Sequence, residues 1–225
     1  MTFSLLARCP ETGAFGMVIS SSSPAVAARC AHARAGVGVA ATQNITDPTL
    51  GPKLLDLMEA GASAAEAMAA VVAQAAHVEY RQLLCVDAQG RFASHSGAKT
   101  LGVWALAEGE GAIAGGNLLA DEGVPAAMLA GFAAAKGSFG DRLVAGLQAG
   151  AAAGGEAGPV HSAGLLVVDR ESWPVAWLRA DWSEAATPIE EVARAWQVYQ
   201  PQMAAYIQRA KDPEWAPSYG VPGDE

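Results

Sequence analysis

Residues 1–23, MTFSLLARCPETGAFGMVISSSS, constrain the fold of this chain more than any other stretch. Two runs of strand character, residues 2–8 and 14–22, flank Cys9-Pro10-Glu11-Thr12-Gly13, whose Pro and Gly are turn formers. A β-hairpin is the expectation, with the chain starting inside its own sheet and no polar tail or signal-like segment ahead of the first strand. The residue after the initiator methionine is Thr2. If Met1 is removed, Thr2 carries a hydroxyl beside a free α-amine, the nucleophile and base of Thr N-terminal catalysis. Equally, a β-branched residue at the start of a strand is ordinary strand chemistry.

The rest of the chain alternates such hairpins with pairs of helices. Residues 24–33 are Ala-rich and expected to cross as a short helix or irregular chain, and residues 36–43 read as a buried strand. That strand runs out into Gln43, Asn44, Thr46, Asp47 and Pro48, which is either the rim of a pocket or plain turn chemistry. Leu54, Leu57 and Met58 follow helical spacing up to Gly61, and Ser63 with Glu66 is a capping box opening a second helix. Residues 81–86 and 91–95 form a second hairpin around residues 87–90. Residues 101–106 and 111–114 add strands ending at Gly115-Gly116-Asn117. Val124, Met128 and Phe132 mark another helix, and Ser138 with Asp141 starts its partner. Residues 150–158, rich in Gly and Ala, are either a mobile loop or a tightly packed one. A third hairpin over residues 163–169 and 174–181 precedes a helix announced by Thr187-Pro188, which Pro201 must interrupt. The expected organisation is a single domain over residues 1–210 and a tail over residues 211–225. The tail's Trp215 and Tyr219 either dock or hang loose.

Strands pairing as local hairpins argue against the strict βαβ order of doubly wound folds. With 52% hydrophobic residues, the chain has enough apolar surface to bury two antiparallel sheets against each other and helices against both. The expected class is α+β. A net charge of −9 on 14 basic residues disfavours nucleic acid and anionic membrane as partners. No apolar run reaches the length of a membrane helix, so a cytoplasmic protein is expected. Cys9, Cys30 and Cys85 lack CxxC spacing, the four histidines lack a ligand pattern, and the glycines of residues 109–115 are wrongly spaced for a dinucleotide loop. No metal and no cofactor is expected. In Ser94-His95-Ser96 and His161-Ser162, adjacent side chains point to opposite faces of a strand, so neither makes a dyad by itself.

Several stretches, taken in order, resemble the bacterial family called domain of unknown function 1028. They are MTFSLLAR at residues 1–8, RAGVGVAATQ at 34–43, Gly51-Pro52, RQLLCVD at 81–87 with QGR at 89–91, Gly116-Asn117, and LRAD at 178–181. The resemblance covers most of the chain. It implies the four-layer αββα sandwich of the N-terminal-nucleophile (Ntn) hydrolases. The sequence departs from the family pattern in the serine run of residues 20–23 and in Trp182, both of which bear on substrate identity.

In that superfamily the nucleophile begins the first strand of one sheet, a place only Thr2 matches here. Asn117, after two glycines, is either a side-chain donor to an oxyanion, with the glycines admitting substrate, or an αL turn residue. Gln43 and Asn44 are candidates to bind substrate. Arg81, Arg179 and Asp181 at strand ends either clamp a carboxylate or ureido group or pair with one another. The function this implies is an amidohydrolase cleaving a C–N bond in a small non-peptide amide or ureido compound. The alternative is a non-catalytic protein on the same fold that binds a small metabolite or serves as an oligomeric partner. The apolar composition and aromatic tail favour a homodimer.

Overall fold

The computed structural model describes residues 1–223, so the last two residues of the expected tail lie outside the described residues. The opening hairpin forms: β1 (Thr2–Arg8) and β2 (Phe15–Ser21) pair antiparallel, and the Cys9 N–H donates to the Ala14 carbonyl across the turn. A short helix, α1 (Val26–Cys30), leads directly into β3 (Ala31–Arg34), so the expected Ala-rich crossing is half strand. Its Ala-His-Ala-Arg sequence has no β-branched residue to signal extension; pairing with β4 (Gly38–Asn44) holds it straight.

Helices α2 (Leu50–Glu59) and α3 (Ala64–Gln74) follow, the second opened by the Ser63/Glu66 capping box. Then come the hairpin β5 (Arg81–Asp87) and β6 (Phe92–Ser96) and the pair β7 (Ala105–Gly109) and β8 (Ala112–Asn117). The strand expected at residues 101–106 starts later. Gly102 turns the chain in the left-handed region (φ 61°), and Leu101 and Val103 instead accept the N–H groups of Leu118 and Leu119.

Helix α4 (Val124–Ala134) packs on α5 (Phe139–Ala152), whose Ser138/Asp141 capping box also forms. Of the two readings of residues 150–158, tight packing holds: the first three residues are helical, and Gly155 and Ala157 are tied to Ala120 and Leu118 by backbone hydrogen bonds. The third hairpin is β9 (Ser162–Val168) and β10 (Ala176–Ala180). Helix α6 (Pro188–Tyr199) ends before Pro201, and α7 (Met203–Lys211) resumes beyond it. Thr187 does not cap α6 with its hydroxyl, which donates to Glu191 at 3.2 Å. The tail docks on its own chain: Arg209 donates to the Pro217 carbonyl and lies 3.7 Å from the Tyr219 ring centroid, while Trp215 stays 78% exposed.

One sheet has the order β10-β9-β2-β1-β8-β7 and the other β3-β4-β5-β6. Strand alternation sorts their side chains into three apolar layers. Phe3, Leu5 and Ala7 of β1 face α4, α5 and α6; Leu6 faces across to Leu84 and Val86 of β5; and Leu83 and Cys85 face α2 and α3. The result is the expected four-layer αββα sandwich of two antiparallel sheets. Among the described residues, no helix is long and apolar enough to cross a membrane.

Candidate active site at the start of the first strand

The layer between the sheets is hydrocarbon at one end and polar at the other. Along β1 the residues on this face are Leu6, Ser4 and Thr2; along β4, Ala41 then Gln43; along β5, Leu84 then Gln82; along β8, Ile113 and then Asn117. Register brings the polar ends together, because Thr2 lies opposite Asn117, Gln43 opposite Gln82, and Gln82 opposite Ser96.

Their side chains form a network sealed from water. Ser4 Oγ donates to Gln43 Oε1 at 2.9 Å, and Gln43 Nε2 donates to Gln82 Oε1 at 2.8 Å. Asn117 Nδ2 donates to the same Gln82 oxygen at 3.0 Å, while Gln82 Nε2 reaches Ser96 Oγ and the Gly116 carbonyl, both at 3.1 Å. Ser4, Gln43, Gln82 and Asn117 are fully buried. Within this network Asn117 Oδ1 is buried with no partner, and such a group is costly. The two glycines before Asn117 are closely packed: a Cβ on Gly115 would lie 2.7 Å from Leu106, and one on Gly116 would lie 2.6 Å from Leu119. The αL reading of Asn117 is corrected. Asn117 pairs in the ladder, and the left-handed residues are Leu118 (φ 52°) and Asn44 (φ 72°).

At the mouth of this layer Thr2 is 4% exposed and Met1 40%. The Met1 carbonyl oxygen accepts hydrogen bonds from both Thr2 Oγ1 and Ser21 Oγ. An amide carbonyl therefore sits against the Thr2 hydroxyl, with a second hydroxyl on the same oxygen.

Beside it is a residue that the sequence did not point to. Glu156, in the loop between α5 and β9, is 4% exposed and accepts the Ser22 N–H on both oxygens, at 3.0 and 3.2 Å. Burial pushes its carboxyl from an ordinary 4.5 up to about 6, against the pull of the Met1 α-nitrogen and of Ser22. Burial in turn lowers the Met1 amine, with Glu156 opposing. A raised carboxyl means that ionised Glu156 opposes folding. The contribution of Glu156 to stability is therefore fully present below pH 4.5, and about 2 kcal/mol of it is lost as pH rises from there through 6. Glu156→Gln, which cannot ionise, is expected to shift the urea midpoint upward at pH 8 and leave it unchanged at pH 4. An equal shift at both pH values would refute the titration.

The other expected site residues lie outside the network. Asn44 ties the rim, with Nδ2 donating to the Tyr80 carbonyl at 2.5 Å and Oδ1 accepting the Leu101 N–H at 3.2 Å. Arg81 donates to the Ile45 carbonyl and lines a shallow hollow with Ile45, His77, Tyr80 and Leu101. Arg179 on the edge strand β10 pairs at 2.7 Å with Asp181, just beyond the strand's end, and Arg81 does not join them. Three strand spacings separate β10 from β1, roughly 14 Å. The histidine and serine neighbours diverge as strand geometry requires: His95 Nε2 reaches the Val78 carbonyl while Ser96 joins the network, and His161 Nδ1 reaches the Ser183 carbonyl while Ser162 Oγ donates to the Ser23 carbonyl.

Over residues 2–192 the chain matches the family described as "Family of unknown function (DUF1028)". No match was found among curated proteins. Among solved structures, the chain is similar to protein SPO2555 from Silicibacter pomeroyi, of the same family. Identity is 30%, the TM-score is 0.82, and the match covers 88% of this chain and 89% of that one. A match to Anbu (ancestral beta-subunit) from Yersinia bercovieri covers 91% of this chain and 97% of that one, at 10% identity and a TM-score of 0.41.

Proposed function

Since this chain belongs to the DUF1028 family and folds as an αββα sandwich, we propose that it is an Ntn-type amidohydrolase acting on a small amide or ureido compound, with Thr2 as nucleophile. The observation that carries this reading is the Met1 carbonyl held against Thr2 Oγ1 and Ser21 Oγ at the polar mouth between the sheets. Hydrolysis of the Met1–Thr2 bond would free the α-amine of Thr2 and clear the position that Met1 fills. The hydroxyl would then attack a substrate carbonyl while the amine takes its proton and returns it to the leaving nitrogen. Water would hydrolyse the resulting ester. Ser21 Oγ and the second Asn117 Nδ2 hydrogen are the donors closest in the chain pairing to the oxyanion. Arg81 is the cation at the rim, and Arg179 with Asp181 takes no part.

A second reading, a non-catalytic member that binds a metabolite or assembles with copies of itself, is favoured by the burial of Thr2 and by Thr2's nitrogen lying in a peptide bond. Intact-mass analysis combined with a screen of linear and cyclic amides and ureides separates the two. The hydrolase reading expects amine or ammonia release only from chains that have lost Met1. Equal turnover by Met1-bearing chains, or no release by either form, overturns it.

A further inference from the structure

Glu156 is a carboxylate in the wrong surroundings for a structural one. It is 4% exposed, its donors are the Ser22 N–H and the hydroxyls of Ser21 and Ser22, and none of the ion pairs among the described residues includes it. Buried carboxylates are ordinarily matched by a cation, because the ionised group loses its hydration, and Glu156 has neutral donors alone within hydrogen-bond reach. The backbone of the loop that carries it is pinned, with Leu119 bridged to Glu156 and Gly155 and Ala157 bonded on either side. The group that acts on it from across the mouth is the α-nitrogen of Met1.

Met1 thus lies as an acyl group would. Its carbonyl oxygen is on Thr2 Oγ1 and Ser21 Oγ, and the Glu156 carboxylate is held on the N–H of the very next residue, Ser22. We propose that Glu156 is a cation subsite that selects α-aminoacyl amides, whose ammonium group takes the place of the Met1 α-nitrogen; the inference rests on the hydrolase reading of Thr2. In the reaction the Thr2 Oγ–acyl bond forms and the acyl C–N bond breaks. The amine leaves with the proton that passed through the Thr2 α-amine, and water releases the free amino acid and restores Thr2. A charge-assisted contact held away from water orients the substrate's α-carbon, and N-acylated or amine-free substrates lack it.

The test uses the full chain produced with Thr2 as its first residue, and compares methionine p-nitroanilide with N-acetylmethionine p-nitroanilide. A charge-assisted contact is expected to give the free amine a kcat/KM higher by about 10- to 100-fold. Glu156→Gln should erase that preference through KM, so that the two substrates are cleaved at the same rate. Equal rates for the two substrates on the parent chain overturn the subsite without any variant having to fold. Loss of both activities in Glu156→Gln, in a variant at least as stable as the parent, would also overturn it, because the carboxylate would then serve the amine of Thr2 itself. If neither anilide is cleaved, the hydrolase reading fails, and calorimetry decides the subsite separately. Methionine amide should bind the parent and not Glu156→Gln, with N-acetylmethionine amide binding neither; equal binding or none overturns it.

Discussion

Thr2→Ala is expected to lower kcat on an amide substrate by about ten-thousand-fold or more, with the fold intact. The hydroxyl touches only the Met1 carbonyl and, at 3.5 Å, Ser21 Oγ, so its loss should cost about 1 kcal/mol of stability. The backbone of β1 stays paired on both sides, to β2 and to β8. Thr2→Ser keeps a hydroxyl in place and is expected to recover turnover. Steady-state kinetics beside a urea titration checks both statements. A fall in kcat of less than about tenfold, with unchanged stability, would remove Thr2 from the chemistry, since an attacking atom has no substitute in alanine.

Gln82→Leu is expected to destabilise the protein by about 3–5 kcal/mol, the largest loss from any single change in the site. The volume is nearly kept, so the cost is polar. Gln82 Oε1 is the shared acceptor of Gln43 Nε2 and Asn117 Nδ2, and its own amide satisfies Ser96 and the Gly116 carbonyl. Leucine would leave the Asn117 donors with no partner beside an oxygen that already lacks one, all at zero exposure. A network that loses its hub is worse than a hydrocarbon core. Chemical denaturation measures this directly, and a loss below about 1 kcal/mol would mean that the network is wet or already broken. Activity should fall with it, because Asn117 is oriented through Gln82.

Much of the frame was legible from residues. Period-two alternation and turn formers located the three hairpins, and the serine-acid pairs at Ser63/Glu66 and Ser138/Asp141 marked two helix starts that form as read. What failed was local signal overridden by pairing: Ala31–Arg34 is extended by its neighbour, and Leu101 and Val103 look like strand residues in a segment that Gly102 bends. In the site, Thr2, Gln43 and Asn117 stood out as polar residues at strand ends. Gln82 did not, because in Arg-Gln-Leu-Leu-Cys-Val it reads as one polar interruption of a buried strand. Only the cross-sheet register shows it meeting two other amides. Glu156 was hidden for a different reason: its loop is all Gly and Ala around one acid, and the lone charge was the sole hint that something faces it. The Arg179 and Asp181 pairing joins the end of β10 to the bend just after it, two residues apart in the chain.

The same features make the site a place where stability is given up. Asn117 Oδ1 and the ionised Glu156 each oppose folding and lie within the polar end of the intersheet layer or at its mouth. A purely structural end to the sandwich would extend the hydrocarbon of Leu6, Ile113 and Leu84 to the edge.

The most direct measurement is to quench the protein during incubation with an amide substrate and locate any acyl group by mass spectrometry of the N-terminal peptide. An acyl adduct on Thr2, in chains that lack Met1, is the expected result. An adduct on another residue, or turnover by chains in which Met1 is still attached, would contradict the role given to Thr2.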